Sequence, residues 1–288
     1  MSSYVMYNPV AGGGSKEALK MLIERLEKRV RVISMDIRSD ELLRDVLRKL
    51  RPEDELIVAG GDGTLNRFVN RIGEVQIPCD VKYYPVGSGN DFAKDMGKER
   101  GCEPFSIKEV IRRLPTMEIN GRVMRFFNGA GVGLDGHVCR EVQLRREKTD
   151  KPVNYLMVAV QSLFAGYRRS AARITVDGVT KEYKKVWIAA TMQGRYFGGG
   201  MKVTPPQDRN NPKGHVTSVV YFGLGKLLSL IVFGMVFSGK HLMFKKNVVL
   251  RQGRVIRVEM DRPCTMQVDG EIIENVTSYT VRAADVQA

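Results

Sequence analysis

The sequence predicts two domains, a Rossmann-like parallel α/β domain followed by an antiparallel β-sandwich. Up to residue 118, short apolar strands alternate with amphipathic helices, which is typical of a parallel sheet covered by helices. Beyond it, strand-like segments follow one another between Gly, Asp and Pro residues, which favours an antiparallel sheet. We expect domains at residues 1–118 and 119–288, an active site in the cleft between them, and final residues that either stay in the second domain or return to the first.

The elements of the first domain follow from the spacing of apolar residues. Four short apolar runs predict strands, at residues 4–7, 30–35, 55–59 and 81–84. Three segments with apolar residues at helical spacing predict helices, at residues 16–29, 41–50 and 64–72. Each strand of this domain is therefore expected to be followed by a loop and a helix.

The second domain is predicted to be mostly strands. The strand-like segments are residues 122–128, 172–176, 184–191, 215–222, 248–250, 255–260, 265–268 and 278–281. Two helical segments, residues 154–167 and 224–237, interrupt them.

Three glycine-rich loops follow predicted strands of the first domain. They are YNPVAGGGS at residues 7–15, VAGGDGTLN at residues 58–66 and YPVGSGNDFAKD at residues 84–95. Open α/β sheets bind ligands at the carboxyl ends of their strands, and glycine loops that lead into helices suit phosphate groups. A phosphate site is therefore predicted where the loops meet, although a flexible loop or a capped helix would explain each loop alone.

A single carboxylate, Asp62, lies among the glycines of the second loop. Because a carboxylate repels phosphate, its position is explained if it holds Mg²⁺ through water or accepts a proton from an attacking hydroxyl. Thr64 would either cap the following helix or bind phosphate. In the third loop, helix capping would account for Asn90 or Asp91 but not for the whole set of loops.

The motifs NPVAGGG, GGDGTLN and PVGSGNDFA, in this order, resemble the catalytic domain of the diacylglycerol kinase and sphingosine kinase family, especially its bacterial soluble lipid kinases. GGDGT alone is also shared with NAD kinases and phosphofructokinases. The resemblance covers nearly the whole chain. Four later segments are also similar to family signatures: FFNGAGVGLDG at 126–136, GGGMKVTP at 198–205, GKHL at 239–242 and QVDGE at 267–271.

The resemblance implies transfer of the γ-phosphoryl group of ATP, with Mg²⁺, to a lipid hydroxyl such as that of diacylglycerol. It implies Glu271 as the proton acceptor, although an Asp-Gly turn alone would predict an exposed hairpin residue there. Asp62 and Asp91 would hold the catalytic Mg²⁺ through water, and Glu118 is a further carboxylate of this network. The implied ATP-binding residues are Asn8, Pro9, Val10, Ala11, Gly12, Ser39, Gly60, Gly61, Asp62, Gly63, Thr64, Leu65, Asn66 and Ser88.

One stretch departs from the family pattern. Many bacterial relatives hold a structural Mg²⁺ with a D-x-x-D-G-L motif, and the corresponding stretch here is NNPKGH, which runs from Asn210 to His215. Asn210 and Lys213 replace the two carboxylates. Because Mg²⁺ requires anionic oxygen ligands, we expect this second metal site to be lost and the Lys213 ammonium to take over the charge that holds the loop.

The positive charge of the chain lies mostly in its second half. The chain has 46 Lys and Arg against 32 Asp and Glu, and residues 118–288 hold 26 of the former and 14 of the latter. Such a surface predicts an anionic partner, unless it is simply solvated. No nucleic-acid-binding motif is present, so we expect a lipid substrate and peripheral association with an anionic membrane rather than nucleic acid.

Several other classes of protein are disfavoured. The four cysteines are far apart and form no C-x-x-C pair, which disfavours a zinc site or a disulfide framework. The longest apolar run, residues 227–237, is shorter than the roughly 20 residues needed to span a bilayer. We expect a cytoplasmic protein, peripheral to the membrane, either a monomer or a homodimer. The alternative functions are an NAD-kinase-like enzyme and a nucleotide-binding regulator without turnover.

Overall fold

A computed structural model of the chain describes residues 2–8, 15–28, 30–37, 39–148 and 153–285. The chain divides into two compact units, Met1–Leu114 and Pro115–Ala288. The division falls shortly before residue 118 because strand Thr116–Ile119 pairs with the last strand of the second unit, with Met117 opposite Val281.

The first unit is a five-stranded sheet with helices. Its strands have the order β2-β1-β3-β4-β5, and the first four are parallel while β5 is antiparallel to β4. The strands are β1 Ser2–Tyr7, β2 Arg31–Asp36, β3 Glu55–Gly60, β4 Asp80–Pro85 and β5 Phe105–Ser106. The helices are α1 Ser15–Glu27, α2 Asp40–Lys49, α3 Asp62–Ile72, α4 Asp91–Asp95 and α5 Lys108–Arg112. The predicted α/β architecture is confirmed, and β3 is buried along its whole length.

The second unit is built on nine antiparallel strands. Eight of them follow the order β12-β11-β10-β8-β13-β14-β6-β7, and β9 pairs with both β10 and β13. The strands are β6 Thr116–Ile119, β7 Arg122–Arg125, β8 Gly129–Gly133, β9 Ser170–Val176, β10 Val179–Met192, β11 Val216–Phe222, β12 Val248–Gly253, β13 Val255–Val268 and β14 Glu271–Arg282.

Two long strands, β10 and β13, each belong to two layers. The first part of each strand pairs with β9 and the last part pairs with β8, with a break in register between the parts. Such bulges let a strand bend from one sheet into another, and the side chains between the layers form a core around Ile174, Val258 and Met266. The predicted antiparallel sandwich is confirmed. β13 continues through Pro263, where the sequence predicted a gap, because the irregular register there tolerates proline.

Three helices pack on the strands of the second unit and form a second core with Trp187 and Tyr221. They are α6 Leu134–Arg146, α7 Tyr155–Ala165 and α8 Lys226–Val236. The sequence did not predict α6, because few of its residues form an apolar stripe. At Gly136 the helix packs so closely on β13 that a Cβ would lie 2.3 Å from the carbonyl oxygen of Thr265. This contact therefore depends on a glycine rather than on an apolar side chain. Among the described residues, no helix is both long and apolar enough to cross a membrane.

Candidate functional site

The carboxyl ends of four parallel strands lie side by side in the first unit. Tyr7 at the end of β1 pairs with Asp36 of β2 and Ala59 of β3, and Gly60 pairs with Pro85 of β4. All three glycine loops therefore begin at one edge of the sheet, where α/β folds bind ligands. Asn8 is the last described residue of the first loop. The other predicted ATP-binding residues of that loop lie outside the described residues: Pro9, Val10, Ala11 and Gly12.

The second and third loops are in direct backbone contact. The carbonyl oxygen of Gly60 accepts hydrogen bonds from the N–H groups of Val86 (3.0 Å) and Gly87 (3.1 Å), and from the Tyr83 hydroxyl (3.0 Å). A Cβ on Gly87 would lie 2.3 Å from the Cα of Gly61. These two glycines are therefore required for the loops to approach each other.

Replacing Gly87 with Ala should lower the free energy of unfolding by about 2–4 kcal/mol, because the new methyl group meets backbone that has no room to move. Chemical denaturation of the purified variant measures this loss. Gly63→Ala is the matched control, since a Cβ at Gly63 meets nothing within 4 Å. Equal losses in the two variants would contradict this account of the loop contact.

Asn90 fixes the turn of the third loop. Its backbone is left-handed, with φ 50°, and its side-chain oxygen accepts from the Gly87 N–H (3.0 Å) while its side-chain nitrogen donates to the Gly87 carbonyl (2.7 Å). The buried Tyr83 hydroxyl lies 3.3 Å from the same Asn90 oxygen. Burial, followed by the nearby charges of Asp62 and Asp91, raises the pKa of Tyr83 well above its usual value, so Tyr83 stays a neutral donor.

Asp62 connects the second loop to the third. Its two carboxylate oxygens accept hydrogen bonds from the backbone N–H groups of Asp91 and Phe92, both at 2.9 Å. These are the first N–H groups of α4, so Asp62 caps a helix that follows another loop. The Asn90 side chain makes no capping bond to this helix. Asp62 itself is the first residue of α3, where a negative charge is favourable.

Several predicted ATP-binding residues support the loop from inside. Leu65 and Asn66 are buried in the unit, and Asn66 accepts a hydrogen bond from Asn70. The buried Thr64 side chain packs against Gly60, where a Cβ would lie 2.4 Å from the Thr64 hydroxyl oxygen. The residue that precedes α3 is Gly61, and Thr64 lies inside the helix, so the structure does not support capping, one of the two roles considered for Thr64.

Other predicted residues lie on the outside of this edge. Gly63 and Ser88 are exposed, at the start of α3 and at the tip of the third loop. Ser39 is half-buried between β2 and α2, and its carbonyl oxygen accepts from the Leu43 N–H (3.1 Å). Asp91 is buried. The outward-facing part of the edge therefore combines exposed backbone at a helix start with the half-buried carboxylate of Asp62.

In the second unit, Glu271 begins β14 directly after a tight turn. Asp269 and Gly270 have φ values of 47° and 93°, and Val268 pairs with Glu271. Two successive positive φ angles are characteristic of the type I′ turn that Asp-Gly favours. The turn fixes the backbone of Glu271, whose side chain is half-buried.

Asp269 also organises a neighbouring segment. Its buried carboxylate accepts hydrogen bonds from the N–H groups of Phe127 (2.6 Å), Asn128 (2.9 Å) and Gly129 (3.1 Å). The buried Arg209 guanidinium donates to the Phe127 carbonyl (2.8 Å). The sequence motifs had predicted no role for Asp269, Asn128 or Arg209. Asn128 lies in the FFNG motif and Asp269 in the QVDGE motif, but the predicted Asp-Gly turn was already enough to explain the presence of Asp269.

Two family models match the chain. Residues 2–120 match the model described as diacylglycerol kinase catalytic domain, and residues 129–284 match the model described as YegS C-terminal NAD kinase beta sandwich-like domain. The chain belongs to the diacylglycerol kinase family. The family resemblance, on which the expected roles of the site residues rested, is therefore confirmed.

Individual members of the diacylglycerol kinase family resemble the chain at low identity. YtlR of Bacillus subtilis, named as a candidate lipid kinase, is 26% identical over 235 residues, covering 76% of this chain and 74% of its own. The diacylglycerol kinase of Mycobacterium tuberculosis (strain H37Rv) is 24% identical over 265 residues, covering 88% and 83%. The crystal structure of a candidate diacylglycerol kinase from Bacillus anthracis has a TM-score of 0.71 at 19% identity, covering 98% and 92%. The structural likeness supports the fold.

Glu118, which was expected to be a further carboxylate of the network, does not lie near Glu271. It is exposed in β6, opposite Thr280 of β14, and forms an ion pair with Arg282 at 3.5 Å. Glu271 is at the other end of β14, a separation of roughly 30 Å along the strand at a rise of about 3.3 Å per residue. The expectation of one carboxylate network that includes Glu118 and Glu271 is therefore wrong.

The stretch that departs from the structural Mg²⁺ motif of many bacterial family members is held by hydrogen bonds. The Asn211 side chain donates to the carbonyl oxygens of Asp208 (2.9 Å) and His215 (3.1 Å). The Arg254 guanidinium donates to the Lys213 carbonyl at 3.1 Å. The Lys213 side chain is exposed, so Arg254 supplies the charge that was expected of it.

Asn210 contributes to the same stretch through its backbone, because its N–H donates a hydrogen bond to the Asp208 carboxylate at 2.9 Å. In the part of the chain that the structure describes, no three His, Cys, Asp or Glu side chains are grouped as a metal ion would require.

Proposed function

We propose that the chain is an ATP-dependent lipid kinase that transfers the γ-phosphoryl group to a hydroxyl of diacylglycerol or a related lipid. The observation that carries the proposal is the meeting of the glycine loops at one edge of the parallel sheet, with Asp62 bonded across two of them. Phosphoryl transfer depends on positioning and on compensation of charge, and this edge offers both. The names of the family members quoted above support the same class of reaction.

The triphosphate would lie against the exposed start of α3. Gly63 is exposed with open space around it, and a helix start offers N–H groups and a positive dipole end to phosphate. Asn8, Ser39 and Ser88 lie in the segments around the same strand ends. Leu65 and Asn66 act indirectly in this account, because their buried side chains hold the loop in place.

The edge also suits a magnesium ion. Mg²⁺ is usually held by one or two carboxylates together with water and substrate phosphates, so a larger cluster of acids is not required. A carboxylate has about four acceptor sites, and the two N–H bonds that Asp62 accepts are compatible with water-mediated binding. Asp91, whose N–H donates one of them, adds the second carboxylate. When bound, the ion neutralises charge on the phosphates.

Glu271 would accept the proton of the lipid hydroxyl. As the hydroxyl oxygen bonds to the γ-phosphorus, the bond from that phosphorus to the oxygen bridging it to the β-phosphate breaks and ADP leaves. The hydroxyl proton passes to the Glu271 carboxylate. The type I′ turn and the three hydrogen bonds of Asp269 position this carboxylate.

The test is an assay of radiolabelled ATP with magnesium against a panel of extracted lipids and against NAD. Label should enter a lipid, and Glu271→Gln should reduce the rate about 10²–10⁴-fold, the usual contribution of a general base. Glu182→Gln is the control, because Glu182 is an exposed acid of the same unit that pairs with Arg173.

Three outcomes of this assay would contradict the proposal. Phosphorylation of NAD instead of lipid would support the NAD-kinase-like alternative, and a normal rate in Glu271→Gln would remove the assigned base. Protein that shows neither nucleotide binding nor transfer would overturn the function as a whole.

A further inference from the structure

Helices α7 and α8 are apolar on all sides, although the protein covers only one side of each. In α7 the buried residues are Val158, Ser162 and Leu163, and in α8 they are Ser229, Val232 and Val236. The remaining positions of both helices are also mainly apolar. A helix that is apolar all round normally has an apolar environment all round, so the outer sides lack a covering layer.

The outer sides of the two helices and the segment after α8 form one surface. The helices are in contact, and the Lys226 ammonium at the start of α8 donates to the Phe164 carbonyl of α7 at 2.7 Å. Eight large hydrophobic side chains there are between 43% and 70% exposed, which is unusual for side chains of this size in one place. We call six of them the α7–α8 patch: Leu156, Met157, Phe164, Leu227, Ile231 and Met243.

The charges around the α7–α8 patch are positive. Residues 153–169 and 223–248, which contain both helices, include no Asp or Glu. They carry an exposed set of basic side chains at Arg168, Lys226, Lys240, Lys245 and Lys246.

Helix α6, which packs beside α7, adds further charges near the patch. Its Arg146 lies over the ring of Tyr155 at 5.3 Å. Glu147 follows the helix between Arg146 and Lys148, so this side is also basic on balance.

The exposed apolar side chains together with the surrounding positive charges distinguish between two candidates that could cover the patch, a second copy of the chain and a lipid leaflet. In a symmetric dimer the same patch would face itself, which would bring two sets of like charges together. An anionic lipid leaflet instead attracts each nearby Lys or Arg and offers an apolar interior to the exposed side chains. The surface thus matches the two properties of such a leaflet, its negative surface and its apolar interior.

We propose that the α7–α8 patch is a docking surface that inserts its apolar side chains into an anionic lipid leaflet, with the surrounding basic residues at the headgroups. Docking would bring the protein to the layer in which lipid hydroxyls lie. The proposal does not require the kinase function, because vesicle binding is measured without nucleotide.

The main variant is Leu227→Gln with Ile231→Gln, which removes two exposed apolar side chains and keeps good helix formers. Burial of each side chain in the leaflet should change the partitioning of the protein between water and vesicles about tenfold. The double variant should therefore bind about 100-fold more weakly to phosphatidylcholine vesicles that contain about one-third phosphatidylglycerol. The matched control is Val123→Gln with Val179→Gln, whose side chains are 68% and 58% exposed in β7 and β10. The control should bind as the unchanged protein does.

A second variant tests the charges. Lys245→Gln with Lys246→Gln should weaken binding to the anionic vesicles about 5-fold for each lysine and should not change binding to pure phosphatidylcholine. It also gives a result if the first variant does not fold, which circular dichroism would reveal. Binding that is insensitive to both double variants would overturn the proposal. So would an equal loss in the control, or a dimer that the first variant dissociates without weakening vesicle binding.

The outcomes separate docking from catalysis. If Leu227→Gln with Ile231→Gln phosphorylates detergent-dispersed lipid normally but bilayer lipid poorly, both proposals stand. If the unchanged protein binds vesicles and phosphorylates no lipid, the kinase proposal fails while docking remains supported.

Discussion

Replacing Asp62 with Asn should reduce lipid phosphorylation about 10²–10³-fold and lower the free energy of unfolding by about 1–3 kcal/mol. The activity falls because the charge that would hold magnesium is lost. The stability falls because one carboxylate oxygen that accepts from Asp91 or Phe92 becomes an amide nitrogen, which cannot accept. Initial rates per folded molecule and denaturant unfolding measure the two effects separately.

Asp54→Asn is the matched control for this prediction. The Asp54 carboxylate also accepts two backbone N–H groups, those of Ser2 (2.7 Å) and Arg51 (3.0 Å), but it precedes β3 and so lies at the opposite edge of the sheet. The control should lose stability and keep its rate. If the two variants lost the same fraction of activity, Asp62 would have only the structural role that its bonds show.

Asp135→Asn should stabilise the protein at neutral pH. The Asp135 carboxylate oxygens, at the start of α6, are inaccessible to water although the residue as a whole is only half-buried. Burial raises the pKa of this carboxyl to about 7, and interactions with the Gly136 backbone and the Gln267 side chain lower it less. Folding therefore disfavours the ionised form of Asp135.

The pH dependence of this effect has a definite sign. Below pH 4, the carboxyl is protonated in both the folded and the unfolded protein, and the variant should match the unchanged chain. Between about pH 4 and 7 the unfolded state ionises first, so the unchanged protein loses stability as pH rises. Above pH 7 the advantage of Asp135→Asn should level off at roughly 2–4 kcal/mol.

Melting temperatures across this pH range measure the effect. Asp54→Asn should show the opposite trend, because hydrogen bonds from Ser2 and Arg51 lower the pKa of Asp54, and its contribution is lost as pH falls. An Asp135→Asn advantage that is constant from pH 4 to 8 would contradict the assigned ionisation.

The sequence was sufficient to predict most of the strands, though not β5, β6 or β8, and the edge of the sheet at which the glycine loops begin, because these depend on local patterns. Parallel pairing brings Tyr7, Gly60 and Pro85 to one edge once the strand and helix alternation is known. The partners of individual side chains depend on contacts between distant segments. The hydrogen bonds that Asp62 accepts from the α4 backbone join two different loops, as does the contact of Gly61 with Gly87. Neither contact produces a recognisable pattern in the local sequence.

The same limit explains the wrong predictions. Glu118 was grouped with Glu271 on the family resemblance, but the register of β6 on β14 separates them. Lys213 was chosen for its position in a motif, whereas the guanidinium that reaches the loop comes from Arg254, in the turn between β12 and β13. Helix α6 depends on close packing of Gly136 against β13, which is a tertiary contact.

The shared strands of the second unit have a consequence for how it opens. Because β10 and β13 each belong to both layers, unfolding of one layer also removes strands with which the other layer pairs. Protection of backbone amides against exchange with solvent deuterium should therefore be lost in both layers in a single cooperative event. The Asp269-Gly270 turn lies at the end of β13, one of these strands. The backbone of Glu271 is therefore held in place by the whole sandwich rather than by a surface loop.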